Sequence, residues 1–269
     1  HEHLLIDFSV VFAEPKEASE RKLMDEDVSI KNLGWIRYNW ASNRDNLRIL
    51  DEETSTWEAR QYFNAGGSTI VDVTSVGLAR DPQALARISR ATGLNIVMGA
   101  GNYVQMSHPT ELQELSVEQV AGQIIHDVEQ GVGDTGIRSG IIGEIGCSWP
   151  WHESEKKVLE AAVIAQRETG APLLIHPGRN QRAPIDLLNA VEKWGGNLSR
   201  TVMGHIERTV YDRGVLNELM NSGAYLNFDL FGHESSFYPL APDSYIPADH
   251  ERIEMVEYMV SEGKQGSVL

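Results

Sequence analysis

Residues 140–146 read GIIGEIG, and two later segments have the same form: residues 172–176 read PLLIH, and residues 201–205 read TVMGH. Each is a short apolar run that carries a glutamate or histidine close to its end. Runs of about four to eight apolar residues bounded by glycine or proline are typical of buried strands. A polar side chain repeated at the C-terminal ends of parallel strands is how a (β/α)8 enzyme builds its site. The pattern therefore predicts the α/β class and a TIM (β/α)8 barrel.

The rest of the chain continues this alternation of apolar runs and amphipathic stretches. Strands are predicted at residues 3–6, 69–74, 95–101, 140–146, 172–176, 201–205 and 224–230. Helices are predicted at residues 81–92, 116–129, 153–169, 184–193, 212–221 and 249–262. Asp81 before a proline is a typical N-cap, and Gly93 and Gly170 lie where helices would end. Repeated βα units indicate a parallel sheet.

The length of the chain suits one barrel domain over residues 1–269, since such barrels run to about 250 residues. Residues 7–64 are too long for one βα unit, and we predict a long insertion with one or two helices over the active-site mouth or at a subunit contact. After the last predicted helix, residues 263–269 read GKQGSVL, and the first residue is not methionine. We expect a barrel that lacks its eighth strand and the extreme N-terminus.

Composition narrows the choice of partners. There are 39 acidic and 23 basic side chains, for a net charge of −16, which disfavours nucleic acid and membrane surfaces. A single cysteine, Cys147, allows no internal disulfide, and no apolar run approaches the length of about 18 residues typical of a membrane span. We expect a cytoplasmic protein with a small-molecule substrate, and a homodimer is left open.

Five residues have the side chains of a metal centre. His1 and His3 are two apart and would face the same way in an extended segment. Glu144, His176 and His205 lie near the ends of predicted strands. A lone histidine at a strand end is more often structural, but four of them with one carboxylate favour zinc-type ligation.

Glu144 is the predicted catalytic residue and bridging carboxylate. The alternative is an ordinary carboxylate at a helix N-terminus or in a salt bridge. Its neighbours Gly143 and Gly146 leave little side-chain cover around it. A buried carboxylate in that position is costly unless it meets a cation.

Other polar residues follow the predicted strands and would either shape a substrate pocket or pack its rim: Tyr103, Arg179, Phe231 and His233. Of these, Tyr103, Arg179 and His233 are the predicted substrate-binding residues. Asn102 and Asp72 are candidates to hydrogen-bond the ligand imidazoles, or else to satisfy loop backbone. Cys147 is interpreted as packing rather than as a nucleophile, because no partner base is evident.

Together, HEH at 1–3, VDVTSVGLARDPQALARISRATG at 71–93, GIIGEIG, LLIHPGR at 173–179 and VMGHIERT at 202–209 resemble the phosphotriesterase family of the amidohydrolase superfamily. The resemblance spans the chain and is greatest to animal members. It implies a binuclear-metal hydrolase with two divalent ions, zinc being expected. His1 and His3 would bind the first ion, His176 and His205 the second, and Glu144 both.

The resemblance also implies a substrate. Animal members suggest hydrolysis of a small amide, an N-acyl amino acid or amino-sulfonate such as N-acetyltaurine, with Arg179 near an anionic tail. Phosphotriesterase or lactonase activity is the alternative hypothesis. The family has an aspartate at the end of barrel strand eight, and no residue corresponds to it. Asp229 is the nearest carboxylate, interpreted as an ordinary strand-end residue. The alternative of another class is therefore a truncated, catalytically silent binding or misfolded form.

Overall fold

A parallel sheet forms the centre of the fold in the computed structural model, which describes residues 2–236, 238, 241 and 243–269. The strands are β1 (Ile6–Asp7), β2 (Arg48–Ile49), β3 (Thr69–Asp72), β4 (Asn95–Ala100), β5 (Ile141–Gly146), β6 (Leu173–His176), β7 (Thr201–Met203) and β8 (Tyr225–Leu226). Strands β3 to β8 lie side by side in chain order and all run parallel, whereas β1 and β2 pair antiparallel. The predicted α/β class is confirmed.

The two edges of this sheet are each extended by a single bridged residue. Glu2 forms a parallel bridge with Asp72, and the Asp72 carboxylate accepts the Leu4 N–H at 2.8 Å. The strand predicted at 3–6 is wrong, because Leu4 bonds to this side chain and the chain continues into β1. At the other edge, Val268 forms a parallel bridge with Leu226. Among the described residues, this bridge lies where an eighth barrel strand would pair.

Helices connect the strands of the sheet. They are α1 (Leu33–Ile36), α2 (Glu52–Asn64), α3 (Pro82–Thr92), α4 (Val117–Glu129), α5 (Glu153–Thr169), α6 (Ala183–Lys193), α7 (Arg213–Met220) and α8 (Asp249–Ser261). The predicted caps of α3 are confirmed: Asp81 accepts the Ala84 N–H at 2.9 Å, and Gly93 ends the helix at φ 84°. Helix α5 has the predicted bounds and ends at Gly170 with φ 71°.

Alternate residues of the sheet face two apolar layers, which explains why the strands read as continuous apolar runs. Ile141 and Leu174 belong to a cluster built from residues in the strands or directly after them. Their neighbours Ile142 and Leu173 pack into the larger cluster with helix residues such as Leu159. Because strands β3 to β8 all run parallel, side chains from successive strand ends meet at one end of the sheet.

Residues 7–64 contain helices α1 and α2, strand β2 and three 3-10 turns. Phe8 and Trp40 from this segment stack with ring centroids 6.0 Å apart and line the cavity at the strand ends. The segment therefore supplies an aromatic wall of the site. Within the described part of the chain, every helix is too short or too polar to cross a lipid bilayer.

Candidate metal centre and active-site cavity

Glu144 lies on β5 at an irregularity in the pairing with β6, between Ile142 and Ile145. The preceding Gly143 has φ 124°, and a Cβ there would lie 2.3 Å from the Leu174 carbonyl oxygen. Only glycine fits that approach and that backbone conformation. A local irregularity of this kind re-aims a side chain. The GIIGEIG sequence therefore turns the carboxylate of Glu144 inward, and this residue is only 1% exposed.

Three imidazoles surround that carboxylate. Glu144 Oε2 lies 2.6 Å from His176 Nδ1 and 3.2 Å from His205 Nε2, and these two nitrogens are 2.9 Å apart. Glu144 Oε1 lies 3.3 Å from His3 Nε2. The structure thus brings together His3, Glu144, His176 and His205 of the predicted ligands. The remaining predicted ligand, His1, lies outside the described residues.

His205 is oriented by Asp229, which the sequence interpretation treated as an ordinary strand-end residue. His205 Nδ1 lies 2.7 Å from Asp229 Oδ1, and Asn227 donates to Asp229 Oδ2 at 2.8 Å. A carboxylate at Nδ1 holds the proton there and leaves the Nε2 lone pair towards Glu144. His205 also has φ 54°, a conformation that costs a non-glycine residue about 1–3 kcal/mol. Surrounding contacts must hold it in place.

His3 is held from the neighbouring strand. Its Nδ1 lies 3.0 Å from Thr74 Oγ1. Asp72 accepts the backbone N–H groups of Leu4 at 2.8 Å and Thr74 at 3.1 Å. Burial raises the pKa of Asp72, and its hydrogen bonds and the nearby His3 oppose that shift. Of the two predicted roles, Asp72 has the second, because it accepts hydrogen bonds from loop backbone. Asn102 lines a separate cavity.

His176 is a buried imidazole of the cluster. Its Nε2 lies 3.1 Å from the Tyr103 hydroxyl and 3.1 Å from Arg208 Nη2. Burial lowers the pKa of His176 well below its ordinary value, against the opposing effect of Glu144. The ring is therefore neutral at physiological pH and offers a lone pair.

The donor set fits divalent cations of the zinc type. Glu144, His176 and His205 place one ligand atom each within 4.8 Å of one another, and all three are buried. Neutral imidazoles and a carboxylate are the ligands that zinc takes in catalytic sites. A carboxylate buried among imidazole rings also calls for a compensating cation. These residues can therefore hold an ion.

A cavity of about 320 Å³ opens onto the cluster. The predicted substrate-binding residues Tyr103, Arg179 and His233 all line it. Phe231 is not among its lining residues and is 51% exposed. A larger neighbouring cavity of about 550 Å³ shares Tyr103, Arg179 and His176 and also contacts the buried Cys147. Burial raises the pKa of the Cys147 thiol well above its ordinary value, in keeping with a packing role.

One residue of this cavity was missed from the sequence. Arg208 is 5% exposed, lines the same cavity and contacts His176. The signal available was a lone arginine three residues after a candidate ligand, in the segment VMGHIERT. Arginine is almost never fully buried unless it is paired, so its burial could not be anticipated from composition.

A parallel α/β sheet with a carboxylate–imidazole cluster at its strand ends defines the class of (β/α)8-type hydrolases. The chain belongs to the phosphotriesterase family, whose model matches residues 1–269. The family and fold predicted from the sequence motifs are thereby confirmed. Membership of this family and the relatives described next identify the protein as a hydrolase. Metal dependence is consistent with the family.

Known proteins resemble the chain over its full length. Human N-acetyltaurine hydrolase is 41% identical over 270 residues, covering 100% of this chain and 77% of the human protein. A solved resiniferatoxin-binding protein from Rhodobacter sphaeroides has a TM-score of 0.96 at 33% identity, covering 100% of this chain and 74% of that one. A lactonase from Listeria monocytogenes has a TM-score of 0.77 at 22% identity, with 100% and 75% coverage, and shares the fold alone.

The contact between Asp229 and His205 gives a first prediction. Asp229→Asn keeps the shape but removes the charge that holds the proton on His205 Nδ1. We expect zinc affinity to fall by about 10- to 100-fold, measured by competition with a chromogenic chelator. Asp134→Asn, at an exposed loop position, should leave affinity unchanged. Equal affinities in the two variants would show that Asp229 does not orient the ligand.

Proposed function

We propose that this hydrolase is a binuclear-metal enzyme that cleaves the amide of N-acyl amino acids or amino-sulfonates, N-acetyltaurine being the substrate type. The observation that carries the proposal is the buried Glu144 carboxylate, shared by His3, His176 and His205 at the floor of a cavity. Relatives 39–41% identical to the chain that are named N-acetyltaurine hydrolase support the choice of an amide.

The proposed ligands follow the resemblance to the family. His1 and His3 would hold one ion, His176 and His205 the other, and Glu144 both. Zinc ions bound there would supply an activated water and polarise the carbonyl oxygen of the substrate. Glu144 is the proposed catalytic residue because its carboxylate offsets the charge of both ions.

The chain's own residues would do the positioning. Burial, and secondarily the Glu144 charge, raise the pKa of the Tyr103 hydroxyl well above its ordinary value. Tyr103 therefore keeps its proton and can donate a hydrogen bond into the cavity. Phe8 and Trp40 cover one side and exclude water from the reacting amide. Arg179 and His233 are the proposed contacts to the rest of the substrate.

The test compares substrates on the purified, zinc-loaded protein. We expect acetate release from N-acetyltaurine with kcat/KM above about 10⁴ M⁻¹ s⁻¹ and slower hydrolysis of γ-butyrolactone and of a phosphotriester. Faster turnover of the lactone or the triester would favour the alternative of lactonase or phosphotriesterase activity. A protein that binds zinc fully and turns over none of the three would be the silent form.

We also propose a single domain with an insertion at about 7–64, a cytoplasmic location and a homodimer. The net charge of −16 supports a small-molecule partner rather than nucleic acid.

A further inference from the structure

Arg208 is a buried cation that forms no ion pair with a carboxylate of the described residues. Its Nη2 lies 3.1 Å from His176 Nε2 and 3.4 Å from the Pro177 carbonyl oxygen, and Nη1 lies 3.3 Å from Thr209 Oγ1. Throughout residues 2–236, 238, 241 and 243–269 no carboxylate lies within the 4.0 Å of an ion pair with it. A buried guanidinium is costly when its direct hydrogen-bond partners are all neutral groups. Its side chain therefore calls for an anion.

A second cation lies on the same cavity. Arg179 donates from Nε to the Tyr238 hydroxyl, and its guanidinium lies 5.0 Å from the centroid of that ring. Arg179 and Arg208 both line this cavity, and two like charges on one cavity repel each other. An anion bound between them would relieve both the repulsion and the burial.

The contact of Arg208 with His176 also depends on the state of the ring. His176 Nδ1 faces Glu144 and His205 Nε2, so Nδ1 is the nitrogen that an ion would take. A neutral imidazole that gives its Nδ1 lone pair to an ion keeps its proton on Nε2. Nε2 would then have no lone pair for Arg208, whereas Tyr103 could accept from it. A guanidinium donor of Arg208 would thereby be released for another acceptor.

We propose that Arg208, together with Arg179, receives the acid group of the substrate and limits the length of the link between that group and the amide. This inference rests on the proposed function. Guanidinium groups bind carboxylate and sulfonate oxygens through paired charge-assisted hydrogen bonds. Only one imidazole ring, that of His176, separates Arg208 from the cluster. The fitting class is therefore N-acyl α- or β-amino acids and the corresponding amino-sulfonates, with one or two carbons in the link.

The test uses the zinc-loaded protein and four amides: N-acetyltaurine, N-acetyl-β-alanine, the neutral N-acetylethanolamine, and N-acetyl-5-aminopentanoate with its longer link. We expect the first two to be preferred. Arg208→Gln should lower kcat/KM for these two by about 10- to 100-fold, mainly through KM, and should lower the ratio of acid to neutral kcat/KM. Arg182→Gln removes an exposed arginine paired with Glu218 and should change nothing.

Two readouts do not depend on turnover. Calorimetric binding of taurine, the acid-bearing product, should weaken in Arg208→Gln by the same factor, and zinc content should be unchanged. If Arg208→Gln loses zinc or fails to fold, Arg208→Lys decides: a fall in the ratio of acid to neutral kcat/KM supports the inference, and an unchanged ratio overturns it. Wild-type protein that cleaves the neutral or long amide equally well also overturns it, while the proposed function stands. Failure on all four amides at full zinc content would instead reject the proposed function.

Discussion

Glu144→Gln is expected to empty the metal centre and to lower kcat for N-acetyltaurine by at least about 10³-fold, within the range of losses typical of a removed acid–base group. The glutamine keeps the shape of the side chain but carries no charge to offset two dications. Its buried oxygens lie 2.6 Å from His176 and 3.3 Å from His3, so an amide there would also present a donor to nitrogens that should bind metal. Zinc content by mass spectrometry and kcat are the measurements.

The matched control for this variant is Glu168→Gln, at an exposed position of α5. It removes the same charge far from the cavity and should leave zinc content and kcat unchanged. Near-normal zinc content and rate in Glu144→Gln would show that the carboxylate does not bridge two ions. Loss of both properties in the two variants alike would indicate a general effect of charge.

Much of the fold could be predicted because its signals are local. The bounds of α5 and the caps of α3 follow from periodicity, Asp81 and the glycines at helix ends. The strand at 3–6 could not be judged in the same way. Whether a strand forms there depends on the Asp72 carboxylate, 68 residues away from Leu4 in the sequence. That carboxylate accepts the Leu4 N–H, which a sheet would otherwise use.

The residues of the site likewise divide into those with a local signal in the sequence and those without one. Glu144, His176 and His205 stand at the ends of apolar runs, so the sequence alone places them at one edge of a parallel sheet. Arg208 has no such pattern, and Asp229, although it lies near the end of a predicted strand, gives no sign of its partner in the sequence. Their roles depend on contacts with His205 and His176 at sequence separations of 24 and 32 residues. Such pairings are set by packing, and only a structure reveals them.

His205→Ala and His176→Ala are the second pair of variants with a large expected effect. Each removes a nitrogen that lies within 3.2 Å of the Glu144 carboxylate. Three protein ligands are the usual minimum of a catalytic zinc site, so each variant should lose the second ion, about half of the bound zinc. His205→Ala also deprives Asp229 of the imidazole 2.7 Å away. It should therefore be the less stable variant, because a buried carboxylate loses a partner.

Zinc content by mass spectrometry, thermal unfolding and N-acetyltaurine hydrolysis measure these effects. His126→Ala removes an exposed histidine of α4 and serves as the control for tag or surface binding of zinc. Loss of turnover by about 10²-fold or more with half the zinc would place both imidazoles on the second ion. Unchanged zinc in both cluster variants would end the assignment, since neither nitrogen would then be a ligand. Loss of all zinc in either variant would instead mean that the two ions bind cooperatively through Glu144, whose position depends on both rings.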